Sequence, residues 1–267
     1  MGIADWVRRV ANPPRWDGTT GAPRSANGAS SFHLFWDVPP SSAGTRWIGA
    51  EATIEVAEPP TVPKLYFWAL QVSMTDERGR DGGGAHFGLQ WISSHPGGTA
   101  VNWGGYRPGG GELDGSVSAL PSGAGNANTR DFVWRAHQPY RYRVVLDDRQ
   151  AAPPGLHAWR GEITDLGTGV TTTVRHLWAA GDRVGSPMVW SEVFADCDDP
   201  SVAVRWTDLA LLAPDGGRVP VEAASINYQA PGDGGCVSTD IAVDERAFVQ
   251  RTASTRRTAG GARLRLT

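Results

Sequence analysis

Lysine is almost missing: Lys64 is the single example in 267 residues, and the other basic residues are arginine. The net charge is −3 with no long run of either sign, so the chain lacks the clustered basic footprint that nucleic-acid binding requires. No stretch approaches the roughly 20 apolar residues of a membrane-crossing helix, and membrane insertion is not expected. Helical periodicity is also scarce. With 34 Gly and 19 Pro, no long window sustains apolar residues at i, i+3, i+4 and i+7, and only Ile3–Val10 suggests a helical turn or two. The segment Met1–Val10 has no apolar core of the kind a signal peptide carries. The chain is therefore expected to be secreted if a signal has been removed, and cytoplasmic otherwise.

Catalytic and metal templates are missing too. No E-x-D-x-E segment places paired carboxylates on one strand face, as many sandwich glycosidases do. There is no G-x-S-x-G elbow and no phosphate-binding G-x-x-x-x-G-K loop, and Gly82–Gly84 precedes no helix. The six His show no zinc spacing. No cofactor is expected, with one candidate exception: Asp196, Asp198 and Asp199, flanking Cys197, carry the oxygen chemistry of a Ca²⁺ loop. Cysteine is limited to Cys197 and Cys236. Joined, they would close a loop of about forty residues, worth roughly 4 kcal/mol, in an oxidising compartment. Two free thiols are the alternative.

What is present reads as strand. A composition of 40% hydrophobic and 20% charged residues suits a globular chain. Runs of six to ten residues rich in β-branched and aromatic types recur, each ended by Gly, Pro, Asp or Asn. They predict about a dozen strands, near Ser31–Val38, Gly49–Val56, Lys64–Thr75, Gly84–Ile92, Thr99–Trp103, Pro139–Leu146, Leu156–Asp165, Gly169–Leu177, Met188–Phe194, Ser201–Leu212, Ser225–Tyr228 and Ala247–Gln250. The fold class is all-β, a two-sheet antiparallel β-sandwich or jelly roll. It is expected to form one domain over 1–267, with its core over about 30–212 and C-terminal strands 213–267 packed on it. Arg107–Arg130, rich in Gly, Ser and Asn, reads as a long loop.

Alternation assigns faces, because successive strand residues point to opposite sides. Tyr66, Trp68, Leu70 and Val72 form a core face, opposite Phe67, Ala69, Gln71 and Ser73. Phe87, Leu89 and Trp91 are apolar, opposite His86, Gly88 and Gln90. Gly88 in mid-strand marks a bulge or a close backbone approach.

Several of these segments have a familiar order. Tyr66-Phe67-Trp68-Ala69-Leu70-Gln71, Phe87-Gly88-Leu89-Gln90 and Val101-Asn102-Trp103-Gly104 are followed by Pro139–Val144, by Trp159-Arg160-Gly161 with Thr168-Gly169, and by Trp190-Ser191-Glu192-Val193-Phe194 with Cys197. Together they resemble an uncharacterised family of secreted bacterial β-sandwich proteins. The resemblance covers roughly residues 30–212. It implies a concanavalin-like jelly roll and an extracellular setting, and supplies no reaction.

Two functional readings follow. The 12 Trp make the chain tryptophan-rich, and flat indoles suit sugar rings. In the first reading it is a carbohydrate-directed binding module. Trp103, Tyr106 and Trp159 would line an aromatic rim, while Gln71, Gln90, Asn102, Arg143 and His86 would hydrogen-bond a glycan or other bulky small molecule. Trp68, Trp91 and Trp206 are assigned to the core. The alternative is an enzyme on the same scaffold, a glycan-active hydrolase or lyase, or a cyclase. Glu192 or His86 would then be its acid or base, since burial of Glu192 beside Trp190 would raise its pKa. An Arg partner such as Arg143 or Arg205 would make Glu192 structural instead. A third reading is a structural module with no small ligand.

Overall fold

A computed structural model describes residues 20–39 and 44–266. The Ile3–Val10 segment lies outside them. In chain order the strands are β1 Ser30–Trp36, β2 Gly49–Glu58, β3 Tyr66–Thr75, β4 Asp81–Trp91, β5 Thr99–Tyr106, β6 Thr129–Asp131, β7 Pro139–Leu146 and β8 His157–Asp165. They continue as β9 Thr171–Ala179, β10 Arg183–Val193, β11 Ala203–Leu212, β12 Arg218–Pro220, β13 Ala223–Tyr228, β14 Asp240–Asp244, β15 Ala247–Arg251 and β16 Arg263–Arg265. One sheet runs β16-β13-β1-β10-β3-β4-β5-β6; the other runs β14-β15-β11-β2-β7-β8-β9, with β12 paired to β11. Every pairing is antiparallel.

The two sheets bury their facing sides against each other, as alternation requires. Tyr66, Trp68, Leu70, Val72, Phe87 and Leu89 meet Ile54, Tyr142, Val144, Trp159 and Trp206 in one core. Gly161 on β8 is explained there. A Cβ at this position would lie 2.9 Å from both the Trp103 and Phe87 rings, so the second sheet leaves out a side chain to make room for an indole from the first. Trp91 is partly buried against the same core.

Several polar side chains cross between the sheets, among them Tyr228 of β13, whose hydroxyl accepts from Ile241 N of β14 at 2.9 Å, and two that lie deeper in the core. The Tyr142 hydroxyl, from β7, accepts from Leu89 N at 2.8 Å and donates to the Trp68 carbonyl at 3.4 Å. Residues 68 and 89 oppose each other across β3 and β4, so the hydroxyl fills a rung of that ladder from below. Gly88 sits beside this plug, and a Cβ there would fall 1.8 Å from the Trp68 carbonyl oxygen; close approach of the neighbouring backbone accounts for the glycine. Tyr142→Phe removes the plug and leaves a buried N–H and carbonyl unpaired. The expected cost is about 1–3 kcal/mol, measured by urea unfolding.

The second crossing is Gln250. It is buried on β15 and takes hydrogen bonds from Ser191 Oγ and Trp206 Nε1, each at 2.8 Å, while its Nε2 donates to the Phe32 carbonyl at 2.8 Å. One carboxamide thus ties β1 and β10 of one sheet to β11 and β15 of the other.

The 107–128 loop is pinned across the open side of the sandwich. Leu113 N bonds Gly105 O at 2.8 Å, Ser116 N bonds His176 O at 2.9 Å, and Ser118 Oγ donates to the Val174 carbonyl. It therefore joins β5 of one sheet to β9 of the other. Cys197 and Cys236 form a disulfide. The Asp loop beside it spends its oxygens locally: Asp198 accepts from Gly21 N at 2.8 Å, Asp199 from Asp196 N at 2.8 Å, and Asp196 lies 3.9 Å from Lys64. Among the described residues no group of three or more acidic, His or Cys side chains could hold a metal ion.

Candidate functional site

The outward face of the first sheet is a grid that can be read from its registers. One row is Ser31, Glu192, Phe67, Gln90 and Ala100 on β1, β10, β3, β4 and β5. The next row is His33, Trp190, Ala69, Gly88 and Asn102, and the third is Phe35, Met188, Gln71, His86 and Gly104. The middle row carries little bulk at Ala69 and Gly88, so a trough crosses the strands there. A cavity of about 540 Å³ occupies this place, and Gln71, His86, Gln90, Asn102, Tyr106 and Glu192 are among its lining residues.

Its floor is aromatic. Phe67 and Trp190 meet edge to face with ring centres 5.1 Å apart, and His86 lies 5.5 Å from Phe67 and 6.0 Å from Tyr106. Burial pushes the His86 pKa down to about 4, so the ring is neutral above that pH. Burial likewise lowers the pKa of His33, against a smaller opposing hydrogen bond to the main chain of Asn227.

Glu192 is the one carboxylate among the residues lining this cavity. Burial raises its pKa, and a 2.9 Å hydrogen bond from Asn27 Nδ2 to Oε1 partly offsets the rise. Neither proposed arginine reaches it. Arg143 pairs with Glu51 and Arg205 with Asp244 and Glu245, all on the opposite sheet. Asn27 is held in turn, because its Oδ1 accepts from Ser25 Oγ at 2.9 Å and Ala29 N at 3.1 Å. Three polar atoms of the lining residues are sealed from solvent and unpartnered: Gln90 Oε1, Asn102 Oδ1 and Trp190 Nε1. Buried polar atoms are rarely left so, and among the described residues nine others outside this lining share the condition.

Of the residues singled out from sequence, the structure brings together Gln71, His86, Gln90, Asn102, Tyr106 and Glu192. Three are elsewhere. Trp103 and Trp159 are fully buried in the core, where Trp159 Nε1 donates to Gly181 O at 3.0 Å. Residues 103 and 106 are three apart on one strand, so they cannot share a face; Tyr106 is the outward one, 57% exposed. Arg143 lies on the far sheet over the buried carboxylate of Glu51, which Arg218 also pairs. Asn27 was missed. It sits in a turn before the first strand, where nothing in the sequence links it to residue 192.

No family model and no curated protein matches the sequence. Among solved structures, scytalido-glutamic peptidase with a peptide-based transition-state analog is 12% identical, with a TM-score of 0.43 over 88% of this chain and 100% of that one. The same peptidase with a transition-state analog inhibitor is 13% identical, at 0.42 over 88% and 99%. SCP-B, a member of the eqolisin family of peptidases in complex with the tripeptide Ala-Ile-His, is 11% identical, at 0.41 over 88% and 99%.

The carbohydrate-binding module is corrected at this point. Two of its three stacking residues are locked in the core and its arginine faces the other way.

Proposed function

We propose that the chain is a hydrolase in which Glu192 is the general base, and that its substrate is a peptide bound across the strands of the trough. The observation that carries this reading is Glu192 itself, a carboxyl of raised pKa in a groove lined by amides and aromatic rings. Glycoside hydrolysis usually needs two carboxyls about 5–9.5 Å apart, and among its described lining residues this groove offers one. Acyl transfer to water needs a single base for the water and donors for the developing oxyanion. Glu192 supplies the base. The carboxamides of Gln90 and Gln71 are candidates to polarise the carbonyl and hold the main chain. Phe67 and Trp190 offer an apolar seat for a side chain next to the cleaved bond.

In this mechanism ionised Glu192 takes a proton from water as the water adds to the carbonyl carbon. The new oxyanion is met by a groove amide. Glu192 then returns the proton to the leaving nitrogen as the C–N bond breaks. A base of raised pKa holds that proton long enough to deliver it. The Cys197–Cys236 bond suits an oxidising compartment, and we place the protein outside the cytoplasm.

Asn27 is expected to set the pH range. Its hydrogen bond stabilises the ionised carboxylate, so Asn27→Ala moves the Glu192 pKa further up. Because the base must be ionised, the acid limb of kcat/KM shifts to higher pH by roughly 0.5–1 unit. A pH–rate profile of hydrolysis of a quenched fluorescent peptide checks it, and an unmoved limb assigns that limb to another group.

A further inference from the structure

Asn27 is followed by Gly28, and this is the one Asn-Gly pair in the sequence. The pair has a chemistry of its own. The main-chain nitrogen that follows an asparagine can attack the side-chain carbonyl carbon, and a glycine carries no side chain to obstruct it. Here the pair lies in the turn before β1. Asn27 is exposed, and the space where a Gly28 Cβ would stand is open.

The Asn27 carboxamide is held at both of its polar atoms. Its oxygen is met by Ala29 N at 3.1 Å and by Ser25 Oγ at 2.9 Å, the hydroxyl sharing its proton with the Ala29 carbonyl at 2.6 Å. These donors sit where negative charge would gather if the carbon were attacked. Its nitrogen, the leaving group of such an attack, is 2.9 Å from Glu192 Oε1. Burial holds the Glu192 carboxyl toward its protonated form, which suits it to donate at that atom. Deamidation of an asparagine needs a nucleophile, donors to the oxygen and a proton for the departing ammonia. Gly28 supplies the first, Ala29 and Ser25 the second, and Glu192 the third. One contact opposes the reaction: Gly28 N donates to the Ser25 carbonyl at 3.0 Å, and that bond must open first.

We propose that Asn27 is a self-deamidation site, converted to aspartate or isoaspartate with Glu192 as the proton donor, and that the product is a second carboxyl beside Glu192. The Gly28 nitrogen loses its proton to water and bonds to Asn27 Cγ. The Cγ–Nδ2 bond breaks as Nδ2 takes a proton from Glu192, so that ammonia leaves and a cyclic imide remains. Solvent reprotonates Glu192, and water then opens the imide at either carbonyl. The sum is one water consumed and one ammonia released. This chemistry is independent of peptide hydrolysis; its consequence for turnover rests on the peptide-hydrolase reading. Conversion replaces the hydrogen-bond donor to Glu192 by a group of like charge, which opposes ionisation of the base.

The test follows the modification itself. Full-length wild-type and Glu192→Gln proteins are aged at neutral pH, both folded and unfolded in guanidinium chloride. Released ammonia gives the rate, and peptide mapping by mass spectrometry places the change. The expected result is conversion at Asn27 in the folded wild type, slower by about tenfold or more in folded Glu192→Gln, with equal rates once both chains are unfolded. Equal rates in the two folded proteins, or an intact Asn27 in the aged wild type, overturns the proposal. Asn27→Asp stands in for the converted protein and is expected to lower kcat/KM for a quenched fluorescent peptide at neutral pH by roughly three- to tenfold. An unchanged kcat/KM overturns the consequence for turnover. A wild type that cleaves no peptide while Asn27 still converts in a Glu192-dependent way overturns the hydrolase reading alone.

Discussion

Glu192→Gln is expected to lower kcat for peptide hydrolysis by about a thousandfold or more, with KM little changed, because the base is lost while the shape and hydrogen bonding of the trough remain. The paired measurement is stability. The folded-state pKa of Glu192 is raised, mainly by burial. Its contribution to stability is thus complete below the unfolded carboxyl pKa and is lost as pH rises through the folded value. Glutamine carries no charge to desolvate, so at neutral pH the variant should unfold at the same or a higher urea concentration than the wild type. Loss of activity with retained stability is the signature of a catalytic carboxylate. If the variant keeps its activity, Glu192 is not the base; if it unfolds at lower denaturant, the carboxylate has a structural role that the Asn27 contact alone does not explain.

Gln250→Leu should give the largest loss of stability, about 3–5 kcal/mol. The residue contributes almost no exposed surface and no chemistry, but one substitution strands the Ser191 hydroxyl, the Trp206 indole N–H and the Phe32 carbonyl together, all inside the sandwich. For a chain of this length that is a fall in melting temperature of about 10 °C. Ser191 immediately precedes Glu192 and points the other way from it. Loosening the core side of β10 should therefore blur the position of the carboxyl, and residual activity at low temperature should fall as well. A change below 1 kcal/mol would mean that leucine packing or rearranged partners satisfy the stranded groups.

Much of this layout was legible in the residues, and the failures have a common cause. Alternation separated Trp68 and Leu70 from Phe67 and Gln71 correctly, and it put His86 and Gln90 on the same side of β4. Its reach ends at the single strand. It says which residues share a face but not which sheet the strand joins, so Arg143 was grouped with Gln71 although β7 lies in the opposite layer. Trp103 failed differently. Sequence pattern ends the strand at residue 103 and leaves the indole at a terminus facing a loop; in the structure β5 extends to Tyr106, and parity turns Trp103 inward. The short strands β6, β12, β14 and β16 carry too few residues to show a period. Asn27 reaches Glu192 across 165 positions and Gln250 reaches Phe32 across 218, and local pattern holds no trace of such pairings.

The short outer strands bear on how the molecule behaves in a crowded solution. The trough-bearing sheet ends in three residues at β16 on one side and three at β6 on the other. Edges so short offer another chain few free main-chain groups on which to add a strand. An extended polypeptide arriving at this sheet is therefore steered away from joining it as a ninth strand. It meets instead the side chains of the open face. If the trough holds extended peptides as proposed, the geometry that presents the face also keeps the rims from recruiting neighbours.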